Sequence, residues 1–191
     1  MTLLKPILSA GLLSLLSACG GPPAPPDPFA ANGTIGPAGT ELVGDFSDLC
    51  LKRFPIEAFM NEAIARKHFT PMNRDELQAV SPGDGGRGWW ITSKADTYAM
   101  MVTPTSCTLR KVYERVPNFS SFFQAAVGDW VGSQHLGSLR QFPSLGDGAA
   151  VTHQMGTVDN AGNMAQVFQG AVRPAGNGTT EIRLVHKLPA G

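Results

Sequence analysis

The 22 residues from Gly20 to Glu41 constrain the fold most, because they cannot contribute to a packed core. They contain six prolines and five glycines, with almost no large apolar side chain. Such a segment buries too little apolar surface to offset the conformational entropy that is lost on folding. We therefore expect residues 19–41 to form an extended tether, roughly 25 Å long as a coil and about 70 Å when fully extended. Folding is then confined to a single domain, residues 42–191.

An apolar run lies before the tether, from Ile7 to Ala18, with one positive charge ahead of it at Lys5. A helix needs roughly 20 apolar residues to cross a bilayer, so about a dozen are too few for a stable span. A positive residue followed by a short apolar region is instead the layout of a secretory signal. We expect residues 1–18 to be a signal peptide that the cell removes on export.

The residues Leu16-Ser17-Ala18-Cys19 end this run and resemble the lipobox of bacterial lipoproteins at all four positions. The resemblance implies that Cys19 receives a diacylglycerol, becomes the first residue of the mature chain and often carries a further acyl group such as palmitate. Two or three acyl chains anchor a protein stably, whereas one binds only marginally. In Gram-negative cells Asp after the cysteine retains such proteins at the inner membrane, so Gly20 favours the outer membrane, facing the periplasm. The alternative is a chance cysteine beside an ordinary signal.

The charge balance argues against a nucleic-acid partner. The chain has 15 basic and 15 acidic residues, and Lys5 is the one charged residue of the signal segment. A nucleic-acid site would show as a clustered basic surface. The mixed run Arg110-Lys111-Val112-Tyr113 is interpreted instead as the solvated face of a strand. The expected partners are the membrane, through the lipid anchor, and another protein of the envelope.

The order of periodic segments predicts an α+β domain. Apolar residues recur at helical spacing over 56–64 and 119–131, which gives two main helices, and Asn73 with Glu76 forms a capping box for a short extra turn. Alternating segments predict about six strands: 89–92, 97–103, 106–113, 149–157, 163–173 and 180–188. The economical architecture is one antiparallel sheet with the helices packed on a face. The order is also compatible with a degenerate duplication of an αβββ unit.

Cys50 and Cys107 are the thiols that remain once Cys19 is lipidated. In an exported protein an even pair predicts a disulfide, which would tie a short helix predicted over 45–51 to the third predicted strand. A catalytic thiol is the alternative, and no motif supports it. The run from Cys50 to Pro55, followed by a helix, tryptophans and a second cysteine, resembles small exported proteobacterial domains of unknown function. That resemblance implies no activity.

Two histidines are the candidates for a polar site. Strand alternation places His153 and His186 on faces that otherwise carry apolar residues, where an imidazole needs a partner. If their strands are paired or flank a common neighbour, they could form a metal or proton-transfer site. The alternative is that each is a hydrogen-bonded residue of the core or its rim. A metal would need further ligands, and the sequence nominates none, so we expect neither metal nor cofactor.

The sequence contains no recognisable catalytic motif. Gly83-x-Gly85-x-x-Gly88 matches the dinucleotide-binding fingerprint in letters only, because a strand is predicted after it instead of a helix. We therefore expect a lipid-anchored binding or scaffolding module that is not an enzyme. Two alternatives stay open: an envelope enzyme with a histidine-containing cleft, and a carrier of apolar ligands with helices folded over a curved sheet.

Overall fold

Eight antiparallel strands form one sheet in the computed structural model, which describes residues 37–66, 68–83, 85–93, 97–114, 119–147, 150–159 and 161–189. Within these ranges the helices are α1 (Pro37–Asp45), α2 (Glu57–Arg66), α3 (Arg74–Val80) and α4 (Ser120–Gln134), and a π-helical segment (Phe46–Leu51) continues α1. The strands are β1 (Phe69–Pro71), β2 (Arg87–Thr92), β3 (Thr97–Val102), β4 (Ser106–Tyr113), β5 (Ser138–Asp147), β6 (Ala150–Val158), β7 (Met164–Gly176) and β8 (Thr179–Lys187).

The strand order is β1-β2-β3-β4-β8-β7-β6-β5. Each half of the sheet is therefore a run of four neighbouring strands, and the halves meet where β4 pairs with β8, from Ser106 opposite Lys187 to Tyr113 opposite Thr180. This confirms the α+β class and the single antiparallel sheet. The strand count differs from the six predicted, because β1 and β5 gave no alternating pattern. A duplicated αβββ unit would have three strands in each half, whereas each half here has four. The duplication therefore stays a prediction.

The helix ends follow local sequence rules. Asn73 caps α3 by accepting from the backbone N–H groups of Asp75 and Glu76, and the Glu76 carboxylate accepts in return from the Asn73 N–H at 2.8 Å. The predicted capping box is thereby confirmed. The first helix, α1, begins at Pro37. Residues 37–41 are therefore helical, although the sequence analysis assigned them to the tether.

The two faces of the sheet differ in the helices that pack on them. The face that carries Leu109, Phe168 and Leu184, here called the helical face, packs into one apolar core with residues of α1, α2, α4 and the π-helical segment. The other face, which carries Arg110 and Arg183, is here called the open face. Among the described helices only α3 packs on the open face, and its apolar contacts lie over β2 and β3. The end of α3 also reaches β4, where the Val80 carbonyl accepts from Arg110, and Val185 of β8 is buried on the same side.

The predicted disulfide is confirmed. Cys50, in the π-helical segment, is bonded to Cys107 of β4, and both residues are fully buried. The bond fixes the chain that follows α1 to the middle of the sheet. In the described ranges no helix has both the length and the apolar character needed to span a membrane.

Candidate functional site

The two histidines share the helical face but occupy different rows. β6 and β8 both flank β7, where His153 lies level with Gly170 and His186 lies level with Phe168. Their strands are about 10 Å apart, and with the offset of two residues along the strands their backbones are about 12 Å apart. In the described part of the chain no group of three or more His, Cys, Asp or Glu side chains is placed to hold a metal ion.

His186 is a buried member of the core, with 1% of its surface exposed. Its Nδ1 lies 2.7 Å from the carbonyl oxygen of Cys50, and its Nε2 lies 2.7 Å from the side-chain amide of Gln166. The ring stacks on Phe168 at a centroid distance of 4.8 Å and meets Trp130 edge-on. A metal shared with His153 would have to displace one of the two nitrogen partners.

The surroundings of His186 favour its neutral form. Burial lowers the pKa of the imidazole, and the hydrogen bond to the Cys50 carbonyl opposes that shift without overcoming it. A neutral ring that donates Nδ1–H to Cys50 must accept at Nε2. The Gln166 atom that faces Nε2 in the structure is Oε1, so this tautomer requires the amide to be turned by 180°, which brings its N–H group to the ring. This accounts for both contacts without a buried charge.

The neutral state of His186 makes stability depend on pH. The unfolded chain binds a proton near pH 6.5, whereas the folded chain resists it, so the free energy of unfolding should be highest above about pH 6.5 and should fall on acidification. We expect His186→Gln to flatten this dependence and His68→Gln, at an exposed histidine, to preserve it. Urea unfolding between about pH 5 and 8 measures the difference. Parallel profiles for wild type and His186→Gln would show that another group is responsible.

A buried carboxylate holds three arginines on the open face of the sheet. The Glu181 side chain is 3% exposed. Its Oε2 accepts from Arg110 Nε at 2.5 Å, and its Oε1 accepts from Arg173 Nε at 2.8 Å, with Arg183 Nε 3.4 Å away. The arginine side chains are 23%, 48% and 25% exposed in that order, so they reach solvent while Glu181 does not. We call Glu181 with these three residues the arginine cluster.

The arginine cluster places two like charges directly across from each other. Arg110 lies directly opposite Arg183 in the pairing of β4 with β8. Like charges at directly opposite positions destabilise a sheet. Within β4, β8 and β7, Glu181 is the one carboxylate whose register position is on the open face.

A small cleft of about 210 Å³ opens beside Arg110. Its wall includes Val80, Trp90 and Val112. Trp90 is half-buried on the open face, where its Nε1–H donates to Glu76 at 3.2 Å, and Trp89 is in the core on the other face. Alternation along β2 thus puts one tryptophan on each face of the sheet.

The structure corrects the interpretation of the run Arg110–Tyr113. The run is not one solvated face, because Arg110 is on the open face and its Nη1 also donates to the carbonyl of Val80 at 2.9 Å. Lys111 is on the other face, where its Nζ donates to the carbonyl of Thr97. The sequence signal that was missed is the alternation of Glu181 with Arg183, two residues apart on one face of a strand.

A second cleft, of about 720 Å³, lies between α1 and the β1–β2 edge. It is lined by ionisable groups that sequence reasoning did not single out: Glu41, Asp45, Arg66 and His68. Ser93 donates to Glu41, and the buried Tyr98 hydroxyl donates to Asp45. Burial first, and then Asp45, raise the pKa of Tyr98, so its phenol stays protonated. Both carboxylates are therefore already engaged by hydroxyl groups.

No protein-family model matches this sequence, and neither the curated proteins nor the solved structures contain a significant match to it.

Proposed function

We propose that this protein is a lipid-anchored component of the bacterial cell envelope whose folded domain is a non-catalytic binding module. The lipobox-like residues that end at Cys19 support the anchor. The buried disulfide suits an oxidising compartment outside the cytoplasm, such as the periplasm. The proposed location is the outer membrane, because Gly20 follows the cysteine.

The observation that carries the binding function is the arginine cluster on the open face. Glu181 fixes the guanidinium groups of Arg110 and Arg173, and these side chains are 23% and 48% exposed, so they reach solvent. Guanidinium groups that the fold holds in place and that solvent can reach are suited to holding an anionic partner.

The cleft beside α1 favours an enzyme as the second candidate. It combines His68 with two carboxylates, which is an arrangement used in acid–base chemistry. The engagement of Glu41 by Ser93 and of Asp45 by Tyr98 argues for a structural role of these carboxylates. The same ionisable lining disfavours an apolar-ligand carrier, since an apolar ligand would desolvate those groups.

The anchor is tested by Cys19→Ser, which removes the sulfur that would be acylated. We expect this full-length variant to move from the membrane fraction to the soluble periplasmic fraction, whereas Gly20→Ala should stay membrane-bound. Gly20→Asp should shift the protein to the inner membrane. Fractionation followed by immunoblotting measures all three. Continued membrane attachment of Cys19→Ser would contradict the anchor.

The binding function is tested with the soluble Cys19→Ser protein as bait on isolated envelopes. We expect it to retain an envelope component that bait also carrying Arg173→Gln retains poorly. Bait carrying Arg87→Gln is the control, because Arg87 is a 53% exposed arginine that pairs with Glu57 and belongs neither to the arginine cluster nor to the lining of the α1 cleft. Equal recovery by all three baits would contradict binding through the arginine cluster. Retention abolished by His68→Gln instead would favour the α1 cleft.

A further inference from the structure

We propose that the groove between α1 and α4 docks on the surface of the membrane to which the lipid anchor holds the protein. This inference rests on the anchor of the proposed function and adds a second contact between the domain and the bilayer. It follows from three features of the groove: its composition, its position relative to Cys19, and the side of the sheet on which it lies.

The groove is an open depression of about 660 Å³ between α1 and α4. It is lined by Val43 and Gly44 of α1 and by Phe122 and Ala125 of α4. A side chain added at Gly44 would meet no neighbouring element of the described structure within 4 Å, so the space above α1 is open there. Phe122 is 48% exposed, whereas Phe123 is buried in the core. Packing within the domain therefore does not account for the aromatic side chain of Phe122.

The groove belongs to the part of the domain that is nearest the anchor along the chain. Residues 20–36 separate Cys19 from Pro37, where α1 begins, and Val43 lies about two turns further on. A coil of that length spans about 20–25 Å, which is less than the diameter of a small domain, about 30 Å. The anchor would thus keep the groove close to the bilayer. A short flexible linker gives an effective concentration in the millimolar range, so a weak affinity for lipid is sufficient.

The lining of the groove suits a lipid surface better than a charged partner. The ionisable side chains described in its lining are Lys52 and Asp129, one of each sign, so charge attraction favours neither an anionic nor a cationic partner. Its apolar residues gain free energy by leaving water. An aromatic side chain such as Phe122 can enter the boundary between headgroups and acyl chains when its helix lies on a bilayer. The polar side chains of Ser133 and Gln134 can then bind headgroups.

Docking through the groove would leave the arginine cluster accessible. α4 packs on the helical face of the sheet, where Phe123 and Val127 share the core with Phe168. The arginine cluster lies on the open face, which is the other side of the sheet. A domain docked through α1 and α4 therefore presents the cluster to the compartment and not to the bilayer. Membrane docking and binding of an envelope component are compatible for this reason.

The test is photo-crosslinking of the full-length, lipid-anchored protein in intact envelopes, with benzoylphenylalanine in place of Phe122. We expect mass spectrometry to find phospholipid adducts at this position. The control carries the same photoreactive residue in place of Met164, which is 40% exposed and lies beside Gly156 on the open face. We expect no lipid adduct there.

A second arrangement measures the contribution of the Phe122 side chain. Benzoylphenylalanine in place of Ala125 reports lipid contact from the same groove. Adding Phe122→Ser should lower this adduct about tenfold, because a phenyl group that leaves water on docking is lost. Phe59→Ser is the matched control, since Phe59 is also 48% exposed but does not line the groove, and it should leave the adduct unchanged.

The products distinguish the possible occupants of the groove. A protein adduct at position 122 would assign the groove to a partner protein, and a crosslinked dimer would assign it to a second copy of this chain. Either result, or equal lipid adducts at positions 122 and 164, would overturn the docking surface. If the protein stays in the membrane fraction but position 122 gives no lipid adduct, the anchor stands and the docking surface is wrong. If the protein is absent from the membrane fraction, the anchor itself is wrong and the docking surface fails with it.

Discussion

Replacing both Cys50 and Cys107 by alanine should lower the free energy of unfolding by about 4 kcal/mol. The disulfide closes a loop between positions 57 residues apart, and in the chain-entropy model a loop of that length restricts the unfolded chain by this amount. Alanine is the replacement of choice because both positions are fully buried and a serine hydroxyl would need a partner there. Urea unfolding monitored by tryptophan fluorescence measures the change.

The matched control for this variant is the unsubstituted protein unfolded with and without a reducing agent. Reduction should lower its stability by a similar amount, and the double alanine variant should not respond to the reductant. A loss below about 1 kcal/mol would mean that the unfolded chain is already compact around this loop, because a disulfide acts mainly by restricting that state.

Those features that depend on short stretches of sequence were predictable. The capping box needs only Asn73 and Glu76, three residues apart, and alternation alone separates Trp89 from Trp90. The disulfide followed from counting the cysteines of an exported chain. Each of these predictions uses either a local residue spacing or the few possible pairings of the cysteines. None of them requires knowledge of the long-range arrangement of the fold.

The arginine cluster could not be predicted from the sequence, because its residues are brought together by the register of paired strands. Arg110 and Glu181 are 71 residues apart in sequence and meet only through the pairing of β4 with β8. β5 was missed for a different reason, since a register shift between Phe142 and Leu145 interrupts its alternation. The start of the domain was set too late, because a proline- and glycine-rich composition hid the helix that begins at Pro37.

The second large effect is expected for Glu181→Gln, which keeps the shape of the side chain but removes its charge. The three arginines then lose the carboxylate that they share, and loss of one partner of a buried ion pair destabilises strongly. Because the arginine side chains are 23% to 48% exposed, solvent screens part of the repulsion, and we expect a loss of about 2–3 kcal/mol. Glu57→Gln is the control: its pair with Arg87 is exposed, so the loss should stay below about 1 kcal/mol.

Glu181→Gln also tests whether the arginines of the cluster act together on an anion. Added phosphate should raise the melting temperature of this variant more than that of the wild type, because removal of the Glu181 charge makes the cluster more positive and a ligand of the folded state stabilises it. Chloride at equal ionic strength screens charges without bridging the guanidinium groups, so its effect should be smaller. Equal increases in melting temperature in the two salts would mean that charge screening alone stabilises the variant. A larger shift in phosphate would show that the arginines act together on one anion.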